Sequence, residues 1–220
     1  MIVAANDSAT RISNLNRWMT AVLTAAFAAI LFIAGAASAE EDGRVRRLDK
    51  KTALIVIDVQ AFYFSGGFMP LVEPEKASAN CGKLIGRFRS EDLVIVHVGH
   101  NVSKDGGFHA DVTPADGEKV IIKDEVSAFN GTGLLDFLRA KGIDRLVICG
   151  MQTHMCVEGA VRAGYDLGFE CILVEDACAT RSFSFDGRVV DAADVHRLTL
   201  KTLEGGYATV TDTETFLTTY

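Results

Sequence analysis

Six short apolar runs punctuate the chain after residue 50, and segments of helical period separate several of them. The runs are Ala53-Leu54-Ile55-Val56-Ile57, Leu93-Val94-Ile95-Val96, Val120-Ile121-Ile122, Leu146-Val147-Ile148-Cys149, Ile172-Leu173-Val174 and Tyr207-Ala208-Thr209-Val210. A run of this length with no polar alternation is a strand buried on both faces. Between the first two, Ala77, Cys81, Leu84, Ile85 and Phe88 recur at helical spacing, and Gly142 closes a second helix expected from about 132 to 141. A third is expected over 154–167, with Gly168 as its stop, and a fourth carries Val189, Ala193, His196, Leu200 and Leu203. Strands alternating with helices specify an α/β chain: a parallel sheet covered on both faces, with ligands beyond the carboxyl ends of the strands.

The chain has 220 residues, 49% of them hydrophobic, enough for one substantial core. A formal charge of -7 gives no basic surface for a polyanion, so nucleic acid is excluded as a partner. Arg11 and Arg17 precede the uncharged stretch 18–39, which ends in Ala37-Ser38-Ala39 before Glu40. That pattern predicts a signal peptide over 1–39, cleaved after Ala39, followed by a polar segment at 40–51 and one domain over 52–220. The protein is then exported, periplasmic or secreted, with no stable membrane association after cleavage. The alternative is a membrane anchor formed by an uncleaved 18–39.

Three reactive side chains fall at strand carboxyl ends: Asp58 after the first strand, Lys123 after the third, and Cys156 in the turn that opens the helix after the fourth. A cysteine in a helix's first turn feels backbone N–H groups, which lowers its pKa and favours thiolate. Asp58 is placed to take the thiol proton and return it to a leaving amine, and Lys123 to favour the thiolate. Taken one at a time these are an ordinary turn carboxylate, a solvated lysine and a packed thiol; their joint placement points to acyl transfer. The other four cysteines, Cys81, Cys149, Cys171 and Cys178, form no Cys-x-x-Cys pair, and a zinc ribbon has no support.

Four ordered segments carry a family resemblance. Ala53 to Gln60, Lys123 with Ser127-Ala128-Phe129 and Gly131-Thr132-Gly133-Leu134, Cys149 to Val157, and Asp176-Ala177-Cys178-Ala179-Thr180 together resemble the isochorismatase-like cysteine hydrolases, related to nicotinamidases and N-carbamoylsarcosine amidase. The resemblance implies a three-layer, Rossmann-like fold with six parallel strands and a triad of Asp58, Lys123 and Cys156. It further implies a cis peptide between Met151 and Gln152, and an oxyanion hole from the backbone N–H groups of Gln152 and Cys156. It implies a small-molecule substrate and a homo-oligomer, with no cofactor.

The Asp-x-His site of nicotinamidases has no counterpart here, so no metal is expected, and His97, His100 and His109 read as ordinary polar histidines. The chain departs from the family where Ala61-Phe62 replaces a common Asn-Asp pair. Tyr63, Phe64, Phe68, Phe129 and His154 are candidate pocket residues, or equally core and interface aromatics. A cysteine at 156 favours cleavage of a carbon-nitrogen bond. Vinyl ether hydrolysis and a non-catalytic binding protein of the same fold are the alternatives.

Overall fold

The computed structural model describes residues 46–220. The signal-peptide expectation for 1–39 lies outside the described residues, as do residues 40–45 of the polar segment. Within the described residues no helix is long and apolar enough to cross a membrane.

Six parallel strands form the central sheet: β1 (Thr52–Ile57), β2 (Val94–His100), β3 (Lys119–Lys123), β4 (Arg145–Met151), β5 (Glu170–Ala179) and β8 (Thr209–Thr211). Their spatial order is β3-β2-β1-β4-β5-β8. Among the described residues five helices accompany them: α1 (Pro74–Ser90), α2 (Leu134–Ala140), α3 (Glu158–Asp166), α4 (Ala192–Leu203) and α5 (Thr213–Thr219). Successive strand side chains point to opposite faces, so each apolar run feeds two cores. Leu54, Val56, Val147 and Ile172 meet α1 and Phe216 of α5 on one face. Ile55, Ile57, Ile148 and Leu173 meet α2, α3 and α4 on the other. This is the α/β, three-layer, Rossmann-like arrangement with six parallel strands expected from the sequence.

The chain steps outward from β1 to β2 and β3, then returns to lay β4 on the other side of β1. The strand order reverses at that point, and a doubly wound sheet opens a crevice there at its carboxyl end. One glycine keeps the two strands close. Gly150 has φ 125, and a Cβ on it would stand 2.0 Å from the Ile57 carbonyl oxygen. Only glycine fits where β4 passes the end of β1.

The polar segment before β1 is tied to the opposite, amino end. Arg145, fully buried, donates to the carbonyls of Arg46 and Arg47 and to Thr52 Oγ1, and Arg46 pairs with Asp49 and Asp144.

Several boundaries differ from expectation. The helix expected from about 154 begins instead with a π-helical turn, Thr153–Val157, that widens the backbone before α3. Val189, expected on a helix, lies in a hairpin of β6 (Phe183–Phe185) and β7 (Arg188–Val190), because the Asp186-Gly187 turn, both residues at positive φ, folds the chain back. α4 begins only at Ala192, and α5 was not anticipated.

Candidate active site

Asp58 follows the last residue of β1 and takes φ 49, a left-handed backbone that few non-glycine residues adopt. Its amide donates to the Val98 carbonyl at 2.8 Å, which fixes the turn while the carboxylate points into the crevice. Cys156 belongs to the turn after β4. There the Gln152 carbonyl accepts from the amides of Met155 and Val157, at 3.0 and 3.3 Å, and the Cys156 amide is not among its donors. The Met151–Gln152 peptide is cis.

Lys123 ends β3, two strands away from β1 and so roughly 10 Å from it at ordinary strand spacing. Its four-carbon stem bridges that gap. Nζ lies 2.8 Å from Asp58 Oδ2, 3.3 Å from Cys156 Sγ, 3.0 Å from the Glu125 carbonyl and 3.0 Å from His100 Nδ1. Asp58 and Lys123 are fully buried and Cys156 is 5% exposed. The structure thus brings the three sequence-derived residues into mutual contact at the point where the strand order reverses.

Burial shapes their protonation. Desolvation raises the Asp58 carboxyl above its ordinary range, and Lys123 works against that rise. The Cys156 thiol is pushed up to about 12, first by burial and next by the charge of Asp58, with Lys123 opposing. Cys156 is therefore a thiol at rest, not the thiolate expected from a helix start. The reason is local: burial, and after it the carboxylate beside the sulfur, outweighs the dipole of a short, irregular turn.

Beside these groups opens a cavity of about 290 Å³. Cys156, Gln152 and His100 reach it from the strand ends, and Tyr63, Phe68 and Arg181 line it from loops. Of the five expected pocket aromatics, Tyr63 and Phe68 line this cavity and the other three lie elsewhere. Phe64 stacks on His109 at 4.0 Å, and Phe129 packs near Phe169 with the α2–α4 core. His154 is held by Thr180 Oγ1 at 2.6 Å and meets Phe183 edge-on. His154 is turned away by its bond to Thr180, while Phe64 and Phe129, on separate connections, are taken up by their own packing partners.

Sequence reading set His100 aside as an ordinary polar histidine and did not single out Arg181, and both line this cavity. His100 pairs in register with Lys123 across β2 and β3, a signal available once strand order is known. Arg181 directly follows the fifth-strand motif that ends at Thr180. The Asp58, His100 and Cys156 ligand atoms lie within 4.8 Å of one another, a spacing suited to a cation. The Lys123 ammonium touches all three residues and already supplies a positive charge there.

A doubly wound parallel sheet with a buried carboxylate, ammonium and thiol at its reversal point defines an α/β hydrolase built around a cysteine. Comparison with known proteins is specific about which kind. The isochorismatase domain model matches residues 52–215. An isochorismatase family protein of Bacillus subtilis (strain 168), YddQ, is 40% identical over 177 residues, covering 76% of this chain and 98% of that one. The crystal structure of an isochorismatase from Pseudomonas putida KT2440 superposes with TM-score 0.73 at 33% identity, covering 79% of this chain and 94% of the other. A streptothricin hydrolase of Streptomyces noursei is 32% identical over 138 residues, which are 58% of this chain and 49% of that protein. The chain belongs to the isochorismatase family of hydrolases.

Proposed function

We propose that the protein hydrolyses a carbon-nitrogen bond of a small amide through a covalent thioester at Cys156. The observation that carries this reading is the contact of one buried ammonium with both Asp58 Oδ2 and Cys156 Sγ. With the thiol protonated and the Asp58 carboxyl raised, a proton passes readily from sulfur to carboxylate as the sulfur attacks the substrate carbonyl. The S–C bond forms, and negative charge moves to the carbonyl oxygen. The amides of Gln152 and Cys156 are the donors assigned to hold it. Collapse breaks the C–N bond, and the proton on Asp58 leaves with the amine. Water then attacks the thioester, giving its proton to Asp58, and the departing Cys156 thiolate takes that proton back. Lys123 holds its charge throughout and keeps the buried carboxylate and sulfur from repelling each other.

Vinyl ether cleavage would need no covalent sulfur intermediate. A relative of 32% identity that acts as a streptothricin hydrolase supports the hydrolytic reading without fixing the bond. The deciding experiment incubates the protein with small amides and esters, quenches in acid and weighs the intact chain. An acyl adduct on Cys156 that is absent from Cys156→Ala is expected. Turnover that persists in Cys156→Ala would overturn the assignment, and a Cys156 inert to every acyl donor would favour a binding protein of the same fold.

A further inference from the structure

The turn that carries Cys156 is tied down by side chains from outside it as well as by its own backbone. Its first two residues each reach a different element. Thr153 Oγ1 meets His196 Nδ1, on α4, at 2.9 Å, and His154 Nδ1 meets Thr180 Oγ1, just past β5, at 2.6 Å. Thr153 is fully buried, and among the described residues His196 is the hydrogen-bond partner of its hydroxyl. Without that ring the hydroxyl would be left unpaired and out of reach of solvent, a state buried polar groups avoid.

The place of this tie along the chain gives it a chemical consequence. Thr153 lies between Gln152 and Cys156, whose amides are the donors assigned to the oxyanion. Two amides converge on one oxygen only where the backbone between them is fixed, and a misplacement of about 1 Å lowers a rate on the order of a hundredfold. The far end of the tie is firm. His196 belongs to a helix of 12 residues that packs Leu200 and Leu203 into the core beneath the sheet. His196 does not line the active-site cavity; with Thr180 it lines a separate one of about 460 Å³. Whatever it does to the reaction therefore passes through the turn.

We infer that His196 is a positioning residue for acyl transfer: through Thr153 it fixes the amides that bind the oxyanion, while the intrinsic reactivity of the sulfur does not depend on it. The use of those amides rests on the hydrolase reading; the tether itself does not. A contact that served stability alone would not discriminate between two reactions at the same sulfur.

Two reagents make that discrimination, each followed at Cys156 by peptide mass mapping. With p-nitrophenyl acetate the sulfur adds to a carbonyl, charge collects on its oxygen, and p-nitrophenolate leaves as the thioester forms. With iodoacetamide the sulfur displaces iodide from a saturated carbon, and no oxyanion arises. His196→Leu should slow acylation about a hundredfold, the lower end of the loss when one oxyanion donor is removed, and leave alkylation where it was. His196→Asn, whose amide reaches the place of Nδ1, should recover most of that loss, and His196→Gln, whose amide reaches the place of Nε2, should not. Thr153→Val should match His196→Leu, and the double variant should be no slower than either. Acylation at the wild-type rate in His196→Leu, equal slowing of both reagents, or additive losses in the double variant each overturn the proposal. Should His196→Leu fail to fold, the comparison of Asn with Gln decides, and equal acylation rates overturn it. If wild-type Cys156 takes up neither reagent, the covalent mechanism fails, and hydrogen exchange over 152–157 decides the tether. Faster exchange in His196→Gln than in His196→Asn then supports it, and equal exchange overturns it.

Discussion

Lys123 Nζ stands 3.0 Å from His100 Nδ1, on the strand between the lysine and the aspartate it serves. An ammonium has three protons, and here four neighbours compete for them: Asp58, His100, the Glu125 carbonyl and Cys156. The sulfur, at 3.3 Å, is the farthest. His100 thus draws a proton away from the sulfur and steadies the lysine stem. Replacing His100 with Leu should free an N–H for Cys156, shift its alkylation midpoint to lower pH and, by loosening the lysine, cut turnover by one to two orders of magnitude. An alkylation profile that superimposes on wild type would show the contact to be incidental.

Asp58→Asn should separate reactivity from catalysis. After burial, the charge of Asp58 is what holds the Cys156 thiol high, so its removal lets Lys123 draw the thiol toward thiolate. Alkylation of Cys156 at neutral pH is expected to become faster, while turnover falls by about a thousandfold for want of a base. Slower alkylation in this variant would mean that the carboxylate activates the thiol even without substrate.

Gly150→Ala places a methyl group on the carbonyl of Ile57 and at a φ of 125. The strands must part at the point where Asp58 and Gln152 emerge. A loss of more than about 3 kcal/mol in denaturant unfolding is expected, with activity lost even where the variant folds. Wild-type stability would show that the strand ends yield easily.

Stability should fall in two stages on acidification, through His97 and Glu118, which meet at 2.7 Å. Burial lowers the His97 pKa below 6.5, so below that pH the unfolded chain binds a proton that the folded one resists. Glu118 is depressed from 4.5 to about 2, chiefly by its hydrogen bond from Arg89. Its contribution is complete above pH 4.5 and is lost as the pH falls from there toward 2. Urea midpoints measured from pH 7 to pH 3 should show both declines, and Glu118→Gln should flatten the second. A midpoint independent of pH below 4.5 in wild type would contradict the assignment.

The leader expected over residues 1–39 predicts an exported protein whose first residue is Glu40. Intact-mass measurement on the exported fraction checks it, and a full-length chain in the membrane fraction would favour the anchored form.

Most of the architecture was legible because a parallel strand buried on both faces must be apolar throughout, and Ile55, Ile148 and Leu173 sit in such runs. Asp58, Lys123 and Cys156 were legible for a related reason, since each is the polar residue at or soon after the end of an apolar run. The cavity walls were not. Tyr63, Phe64, Phe68, Phe129 and His154 are all aromatic, yet of these Tyr63 and Phe68 line the cavity and the rest do not, because the direction of a loop side chain depends on a turn that no period encodes. His100 and Arg181 stayed hidden for want of strand order and of the path the chain takes after β5.

The reacting groups and the walls around them are carried by different kinds of backbone. Asp58 and Lys123 end or follow strands of the central sheet and Cys156 the turn after β4, while Phe62, Phe68, Met69 and Arg181 come from the connections between elements. A connection can be lengthened, shortened or exchanged without moving the sheet. What this molecule cuts is therefore open to redesign, or to drift, at the 62–69 loop and the residues leading into the β6–β7 hairpin, while the way it cuts stays anchored where Gly150 passes Ile57.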